Sequence, residues 1–238
     1  MTDQRDTEQT AGRLPGRASG VLALVGGGEW QPGTEYDADL LEHSGADEVL
    51  VLPTAAAYQH PDRAVATAEK WFSSLGSRAR GLMVLRHADA NKETNAAAVR
   101  EARFIYLSGG SPLHLLSVLK GSLVFEALAA ALSAGAVVAG SSAGAMVLVD
   151  PMVDPRGGAF TVGLGLVEHL AVVPHHDSGT SHHFWRTLEL APAGLPIAGI
   201  PERTALIRDP DGSWRSAGGG RVTVYLDGTE VGLEALPH

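Results

Sequence analysis

The sequence predicts an α/β protein in which a mostly parallel sheet is sandwiched by helices, with a small antiparallel meander near the C-terminus. Short apolar runs that stop at glycine or proline alternate with helix-like stretches, a pattern typical of buried parallel strands and their crossover helices. The clearest such stretches span residues 61–75, 91–102 and 123–133. Near the C-terminus, turn residues separate three short strand-like segments, at residues 204–207, 214–216 and 222–226.

Six apolar runs are the predicted strands of the parallel part. They lie at residues 21–25, 49–52, 82–85, 104–107, 136–139 and 170–173. Ligand sites of open α/β sheets lie at the carboxyl ends of the strands. We therefore expect the chemistry in the loops that begin at Gly26, Pro53, Ser108, Gly140 and Pro174.

Composition narrows the class of protein. A length of 238 residues favours one domain, residues 19–238, after a flexible N-terminal tail at residues 1–18. The absence of cysteine excludes thiol nucleophiles and cysteine-ligated metal. A net charge of −9 argues against nucleic acid as a partner. The polar start and the lack of a clean membrane-length apolar run lead us to expect a cytoplasmic protein with no membrane partner.

A candidate nucleophile follows the fifth predicted strand. Residues 140–144, Gly-Ser-Ser-Ala-Gly, fit the G-x-S-x-G elbow, in which small neighbours let the chain reverse and expose the central hydroxyl. The spacing selects Ser142 over Ser141, and the N–H of Ala143 is the expected oxyanion donor. The alternative is a plain glycine-rich connection between a strand and a helix.

The candidate base comes from the loop after the sixth strand. His175 immediately follows that strand, whereas His176 is expected to point elsewhere because successive residues diverge. The neighbouring ligand-type side chains suggest a metal site as an alternative, but they lack the spacing of a helical H-E-x-x-H site, so we predict no metal. This cluster comprises His175, His176, Asp177, His182 and His183, of which the last two are interpreted as a polar helix face.

The base needs a third group to orient it. Asp154 and Asp150 lie between the serine and the histidine, and we favour Asp154, although either carboxylate also fits a solvated loop. The glycine pair ending the fourth strand offers the N–H of Gly110 as a second oxyanion donor; alternatively, it is only a turn into the next helix. We predict Gly109, Ser111 and His176 as substrate-binding residues. Residues 26–29 lack the dinucleotide-binding register, so no cofactor is predicted.

These motifs together resemble the cyanophycinase/peptidase E family of serine peptidases, which has a class I glutamine-amidotransferase-like fold. Residues 140–145, GSSAGA, are the most specific match, and residues 22–29, LALVGGGE, are similar to the family's first strand and glycine loop. Further similarity lies at residues 51–55, 105–110, 163–166 and 172–175. The resemblance implies Ser142 as nucleophile, His175 as base, and oxyanion donors at Gly110 and Ala143.

The expected function is a serine hydrolase that cleaves a peptide or amide bond through a Ser-His-acid acyl-enzyme mechanism. The resemblance implies aspartyl or β-aspartyl dipeptides as substrates. Ser111-Pro112 departs from the family pattern, as does the missing arginine after His175, for which Arg186 is a candidate substitute. The alternative is a non-catalytic binding or regulatory member of the fold. The apolar stretch at residues 123–132 has two interpretations, a homodimer interface or part of the core, and we favour the core.

Overall fold

The computed structural model describes residues 20–177 and 181–238, with only the helical backbone described for residues 181–183. The predicted tail, residues 1–18, lies outside the described residues. The helices are α1 Tyr36–Ser44, α2 Pro61–Ser74, α3 His87–Ala90, α4 Glu93–Glu101, α5 Pro112–Leu119, α6 Leu123–Ser133, α7 Ala143–Leu148 and α8 Ser181–Glu189. The longer strands are β1 Leu22–Val25, β2 Glu48–Leu52, β3 Arg78–Gly81, β4 Phe104–Leu107, β5 Val137–Ser141, β10 Ala171–Pro174, β11 Ile197–Ile200, β12 Thr204–Arg208, β13 Trp214–Gly218, β14 Thr223–Leu226 and β15 Thr229–Val231. Four two-residue strands lie between them: β6 Val149–Asp150, β7 Met152–Val153, β8 Phe160–Thr161 and β9 Val167–Glu168.

The central sheet is mostly parallel, as the sequence predicts. Its seven strands run in the order β13-β12-β1-β5-β4-β2-β3, and the five strands from β1 to β3 in that order are parallel to one another. Only β12 and β13, at one edge, are antiparallel. Buried side chains alternate between the two faces: Ala23 and Tyr106 belong to one apolar core, Leu24 and Leu107 to the other. Helices α1 and α2 cover the first face, and α5, α6 and α7 cover the second.

The antiparallel strands predicted near the C-terminus are present, but they are divided between two sheets. Strands β12 and β13 extend the central sheet, whereas β14 joins a second sheet of order β10-β11-β14-β15. In the second sheet β10 and β11 are parallel, with Pro174 opposite Ile200. The sixth predicted strand, now β10, therefore ends in a separate sheet. Apolar patterning shows that a strand is buried, not which sheet it joins.

The third predicted strand, residues 82–85, is wrong. The observed β3 is the preceding polar segment, Arg78–Gly81, which pairs only with β2 at the edge of the sheet. An edge strand exposes one side to water and tolerates arginine. The apolar residues that follow, 82–85, form no strand: Val84 is fully buried, whereas Met83 is 44% exposed.

In the described residues, no single helix is long and apolar enough to cross a membrane. Helices α5 and α6 meet that test only as a pair, across a bend of 92°. The buried side chains of α6, including Leu128 and Leu132, belong to the core.

A buried carboxyl group links α1 to α2. Asp37 is fully buried, and its Oδ2 accepts a hydrogen bond of 2.9 Å from the indole N–H of Trp71. Burial raises the pKa of Asp37 to about 8, against the effect of the Trp71 bond, and the charge of Glu29 adds to the rise. The folded protein therefore keeps a proton on Asp37 that the unfolded chain releases above its ordinary pKa.

We expect this carboxyl group to make stability depend on pH. Between about pH 4 and pH 8 the folded state binds the extra proton, so the free energy of unfolding falls as the pH rises, by up to about 1.4 kcal/mol per pH unit. Asp37→Asn stays neutral and still accepts the Trp71 hydrogen bond. The part of the pH dependence of unfolding free energy that Asp37 causes should therefore disappear in this variant. Urea denaturation across this range measures it, with exposed Asp39→Asn on the same helix as control. If the unfolding free energies of the wild type and Asp37→Asn depended on pH in the same way, the raised pKa assigned to Asp37 would be contradicted.

Candidate active site

The candidate nucleophile lies on a strained turn between β5 and α7. Ser142 has φ 49° and ψ −104°, a backbone conformation that non-glycine residues rarely adopt. Its N–H donates to the carbonyl of Val25 at the end of β1, and its carbonyl accepts from Met146 N–H in α7. The turn is therefore fixed on both sides. This is the strand–turn–helix context that the G-x-S-x-G pattern requires.

The two glycines of the turn are needed for close packing. A Cβ on Gly140 would lie 2.7 Å from the carbonyl carbon of Gly144, and a Cβ on Gly144 would lie 2.7 Å from the carbonyl oxygen of Leu107. Real Cβ atoms essentially never come that close to backbone atoms. Glycine at these positions lets α7 start directly against β4 and β5, which fixes where the hydroxyl of Ser142 emerges.

The structure brings the predicted serine and histidine together. Ser142 Oγ lies 2.9 Å from Nε2 of His175, and Nδ1 of the same ring lies 2.9 Å from Oε1 of Glu202. With Nδ1 protonated, the ring donates to Glu202 and leaves Nε2 to accept from the serine. The side chains of His175 and Glu202 are 37% and 41% exposed, so the cluster of Ser142, His175 and Glu202 is accessible to solvent. This order of hydroxyl, imidazole and carboxylate is the one that serine hydrolases use.

The prediction that Asp154 orients the imidazole does not agree with this geometry. The Asp154 carboxylate accepts from the guanidinium of Arg156, at 2.9 Å and 2.6 Å, and these hydrogen bonds lower its pKa to about 2. The other candidate, Asp150, accepts from Gly163 N–H at 2.7 Å. Glu202 occupies the position beside the ring that was assigned to Asp154.

A sequence signal for Glu202 existed and was missed. Glu202 follows β11, an apolar run closed by Pro201, which is the same pattern that marks the other strand ends. Strands β10 and β11 are parallel neighbours, so His175 and Glu202 leave the second sheet side by side. Glu202 follows His175 in the chain, outside the segment between Ser142 and His175 that contains Asp150 and Asp154.

The glycine loop after β1 holds the histidine in place. Gly26 accepts a hydrogen bond from His175 N–H, and Gly27 accepts one from Arg203 N–H, both at 2.8 Å. Gly27 has φ 123°, and a Cβ there would lie 2.2 Å from Cε1 of the His175 ring. The ring thus packs on the face of a glycine that no other residue can replace without moving it. This role of Gly27 was not predicted.

Glu29, at the end of the same loop, ties two other loops together. Its Oε1 accepts from Gly109 N–H at 2.9 Å, and its Oε2 accepts from the hydroxyl of Ser141 at 2.7 Å. Ser141 is therefore occupied by a structural contact, which agrees with the choice of Ser142 as the candidate nucleophile. Hydrogen bonds to a carboxylate are stronger than neutral ones, so Glu29 fixes the glycine pair relative to the serine turn.

The predicted oxyanion donors and substrate-binding residues differ in what they contact. Within the part of the chain that the structure describes, the N–H groups of Gly110 and Ala143 donate to no protein acceptor. In contrast, Gly109 N–H is bonded to Glu29. Ser111 caps α5: its hydroxyl accepts from His114 N–H, and its own N–H donates to Ala55. Gly109 and Ser111 thus shape the loop, while Gly110 and Ala143 keep their donors available.

His176 points away from Ser142 and into the second sheet. Its ring contacts Phe184 with a centroid separation of 4.5 Å, and it covers Gly199, where a Cβ would lie 2.7 Å from the ring. Burial lowers the pKa of His176, so its neutral form is favoured. The prediction that His176 binds substrate does not match this packing.

The side chains of His182 and His183 lie outside the described residues. Among described side chains, no three His, Asp or Glu residues converge as metal ligands.

Fold and site together define the class of protein. A parallel sheet presents a serine on a strained turn, and an imidazole and a carboxylate from a second sheet continue the hydrogen-bonded series. The chain matches the family model for peptidase family S51 over residues 22–213. The chain belongs to peptidase family S51 and is a serine-type peptidase, which confirms the predicted cyanophycinase/peptidase E relationship.

Relatives in sequence and in structure agree with this assignment. The cyanophycinase of Trichormus variabilis is 26% identical over 239 residues, covering 95% of this chain and 80% of its own. That of Synechococcus elongatus is 24% identical over 232 residues, covering 92% of this chain and 71% of its own. The crystal structure of a peptidase from an acI-B1 actinobacterium has a TM-score of 0.81 at 28% identity, covering 91% of this chain and 94% of that one. A putative peptidase E from Listeria monocytogenes shares the fold, with a TM-score of 0.59 at 19% identity over 87% and 98% of the two chains.

We expect Gly27→Ala to displace the His175 ring and slow reaction at the serine. Small misplacements of a reacting group cost up to about a hundredfold in rate, so labelling by a small fluorophosphonate should slow by at least about tenfold. Gly219→Ala is the matched control, because a Cβ there meets nothing within 4 Å. Labelling rates are compared after thermal melts show that both variants are folded. Equal rates in folded Gly27→Ala and wild type would contradict the positioning role.

Proposed function

We propose that the protein hydrolyses a peptide or amide bond in a small peptide through an acyl-enzyme formed on Ser142. The observation that carries this proposal is the pair of 2.9 Å contacts that link Ser142 to His175 and His175 to Glu202. The strained backbone of Ser142 supports it, since such strain is concentrated at functional sites. The proposed acid is Glu202.

In the proposed mechanism, His175 Nε2 takes the Ser142 proton as the hydroxyl attacks the carbonyl carbon of the substrate. Glu202 holds the ring by its Nδ1–H and stabilises the imidazolium that forms. The N–H groups of Gly110 and Ala143 are the proposed donors to the oxyanion. His175 then protonates the leaving amine. Water, deprotonated by the same imidazole, hydrolyses the acyl-enzyme and restores the free hydroxyl.

The proposed substrates are short peptides, consistent with an exopeptidase or dipeptidase. Aspartyl and β-aspartyl dipeptides are those that the resemblance implies, and the relatives named cyanophycinase support including them in a substrate panel. Glu29 and Glu202 place two carboxylates beside the serine turn and the imidazole, which does not favour a carboxylate on the substrate. A cytoplasmic location and a homodimer remain predictions.

The first test is covalent labelling of the serine. We expect a small fluorophosphonate to label the wild type and to leave Ser142→Ala unlabelled, with mass spectrometry placing the adduct on Ser142. Ser141→Ala is the control. It should still be labelled, because the hydroxyl of Ser141 in the wild type donates to Glu29 and is not the proposed nucleophile. An adduct on Ser141, or equal labelling of Ser142→Ala, would refute the nucleophile. A wild type that resists labelling would favour the non-catalytic alternative.

The second test separates Glu202 from Asp154 as the acid. We expect Glu202→Gln to slow labelling at least about a hundredfold, because the imidazolium loses its charged partner. Asp154→Asn should have an effect at least about tenfold smaller, since its carboxylate contacts Arg156 and not His175. The pseudo-first-order labelling rate of each purified variant gives the comparison. A larger loss in Asp154→Asn would reverse the assignment.

A further inference from the structure

A cavity of about 280 Å³ opens beside the imidazole of His175. Its lining comes from four elements around the candidate site and is mostly apolar. It includes Met146, Val153, Asp154, Val173, His175 and Phe184. We propose that this cavity is a substrate subsite that receives an apolar side chain on a residue next to the scissile bond. The proposal rests on the proposed hydrolase function of the same site.

The cavity is continuous with the reacting groups. His175 lines it directly, and Met146 stands one helical turn after Ser142, with its N–H bonded to the Ser142 carbonyl. Strand β10 forms another wall immediately before His175, and Phe184 of α8 closes a further side. A substrate carbonyl held at Ser142 therefore lies beside the entrance, within reach of a neighbouring side chain.

The charges of the lining argue against an acidic side chain. Among the described residues, the lining includes no lysine or arginine. Its single carboxylate, Asp154, accepts hydrogen bonds from Arg156 at both oxygens, and the low pKa of that carboxyl keeps it ionised. Arg186, considered from the sequence as a substitute cation, is exposed and lines a different surface pocket with Trp185, Glu189 and Leu190. An aspartyl side chain entering the cavity would lose water without gaining a cation.

A basic side chain is also poorly matched. The Asp154 carboxylate is already neutralised by the Arg156 guanidinium, so a second cation would gain little attraction and would still lose its hydration. Aliphatic and aromatic side chains gain from leaving water, and they contact Val153, Val173 and Phe184 without unpaired polar groups. The lining therefore selects against both charges and in favour of an apolar group.

The test uses two dipeptide series, Xaa-Ala and Ala-Xaa, in which Xaa is Leu, Phe, Asp or Arg. We expect Leu or Phe in at least one series to exceed Asp and Arg in kcat/KM by about tenfold or more. The same peptides should protect Ser142 from a small fluorophosphonate at lower concentrations than their charged counterparts. Protection gives a binding readout even where turnover is slow.

The results separate the two proposals. If the wild type is labelled at Ser142 but prefers Asp or Arg, shows no preference, or is neither protected by nor active on any peptide, the subsite is overturned and the nucleophile stands. If the wild type is not labelled, the hydrolase function fails, and the subsite fails with it.

Two variants test the cavity itself. Val173→Phe fills it and should lower kcat/KM for the preferred apolar dipeptide by at least about tenfold more than it lowers the fluorophosphonate labelling rate. Val173→Asp adds a carboxylate at the same partly exposed position and should move the substrate preference toward Arg. This variant tests the subsite even if Val173→Phe does not fold. Val162→Phe, at a side chain 55% exposed outside the lining, is the matched control. An unchanged preference in a folded Val173 variant would overturn the subsite.

Discussion

The hydrogen bonds between the loop after β1 and the two strand ends beside it hold the candidate site together. Gly26 and Gly27 accept from His175 and Arg203, while Gly26 N–H donates to Thr204. These bonds join the central sheet, which carries Ser142, to the second sheet, which carries His175 and leads into Glu202. The backbone must pass so close to its partners here that a Cβ on Gly26 would lie 2.0 Å from the Pro201 carbonyl oxygen. The 2.9 Å contacts of the imidazole depend on this junction.

Much of the fold could be predicted because interior parallel strands are continuous apolar runs. Four of the six predicted strands, those at β1, β2, β4 and β5, lie in the central sheet. Strand β3 was misplaced since it is an edge strand whose sequence, Arg-Ala-Arg-Gly, carries no apolar signal. The second sheet was not anticipated, because the pattern of β10 is the same whichever sheet it joins.

The site was predictable where local geometry demands particular residues. Ser142 could be predicted from the small residues that a tight turn requires, and His175 from its position directly after a predicted strand. Glu202 follows an apolar run that marks a strand end, but choosing it as the acid required knowing that β11 lies beside β10, which is a tertiary contact. Gly27 and Glu29 look like parts of a simple glycine loop in the sequence. Only the fold shows that one packs on the imidazole and the other joins the serine turn to Gly109.

The proposed reacting groups come from structures of unequal size. Ser142 belongs to a seven-stranded sheet with helices on both faces, whereas the second sheet, which carries His175, has four strands. The size difference does not make the second sheet a separate body, because its buried residues, among them Val172, Ile197 and Val224, share one apolar core with Leu24 and Leu107 of the central sheet. Imidazole and hydroxyl are therefore held in place by the same packed side chains. Since one core supports both groups, inactivation by heat should coincide with loss of the main fold.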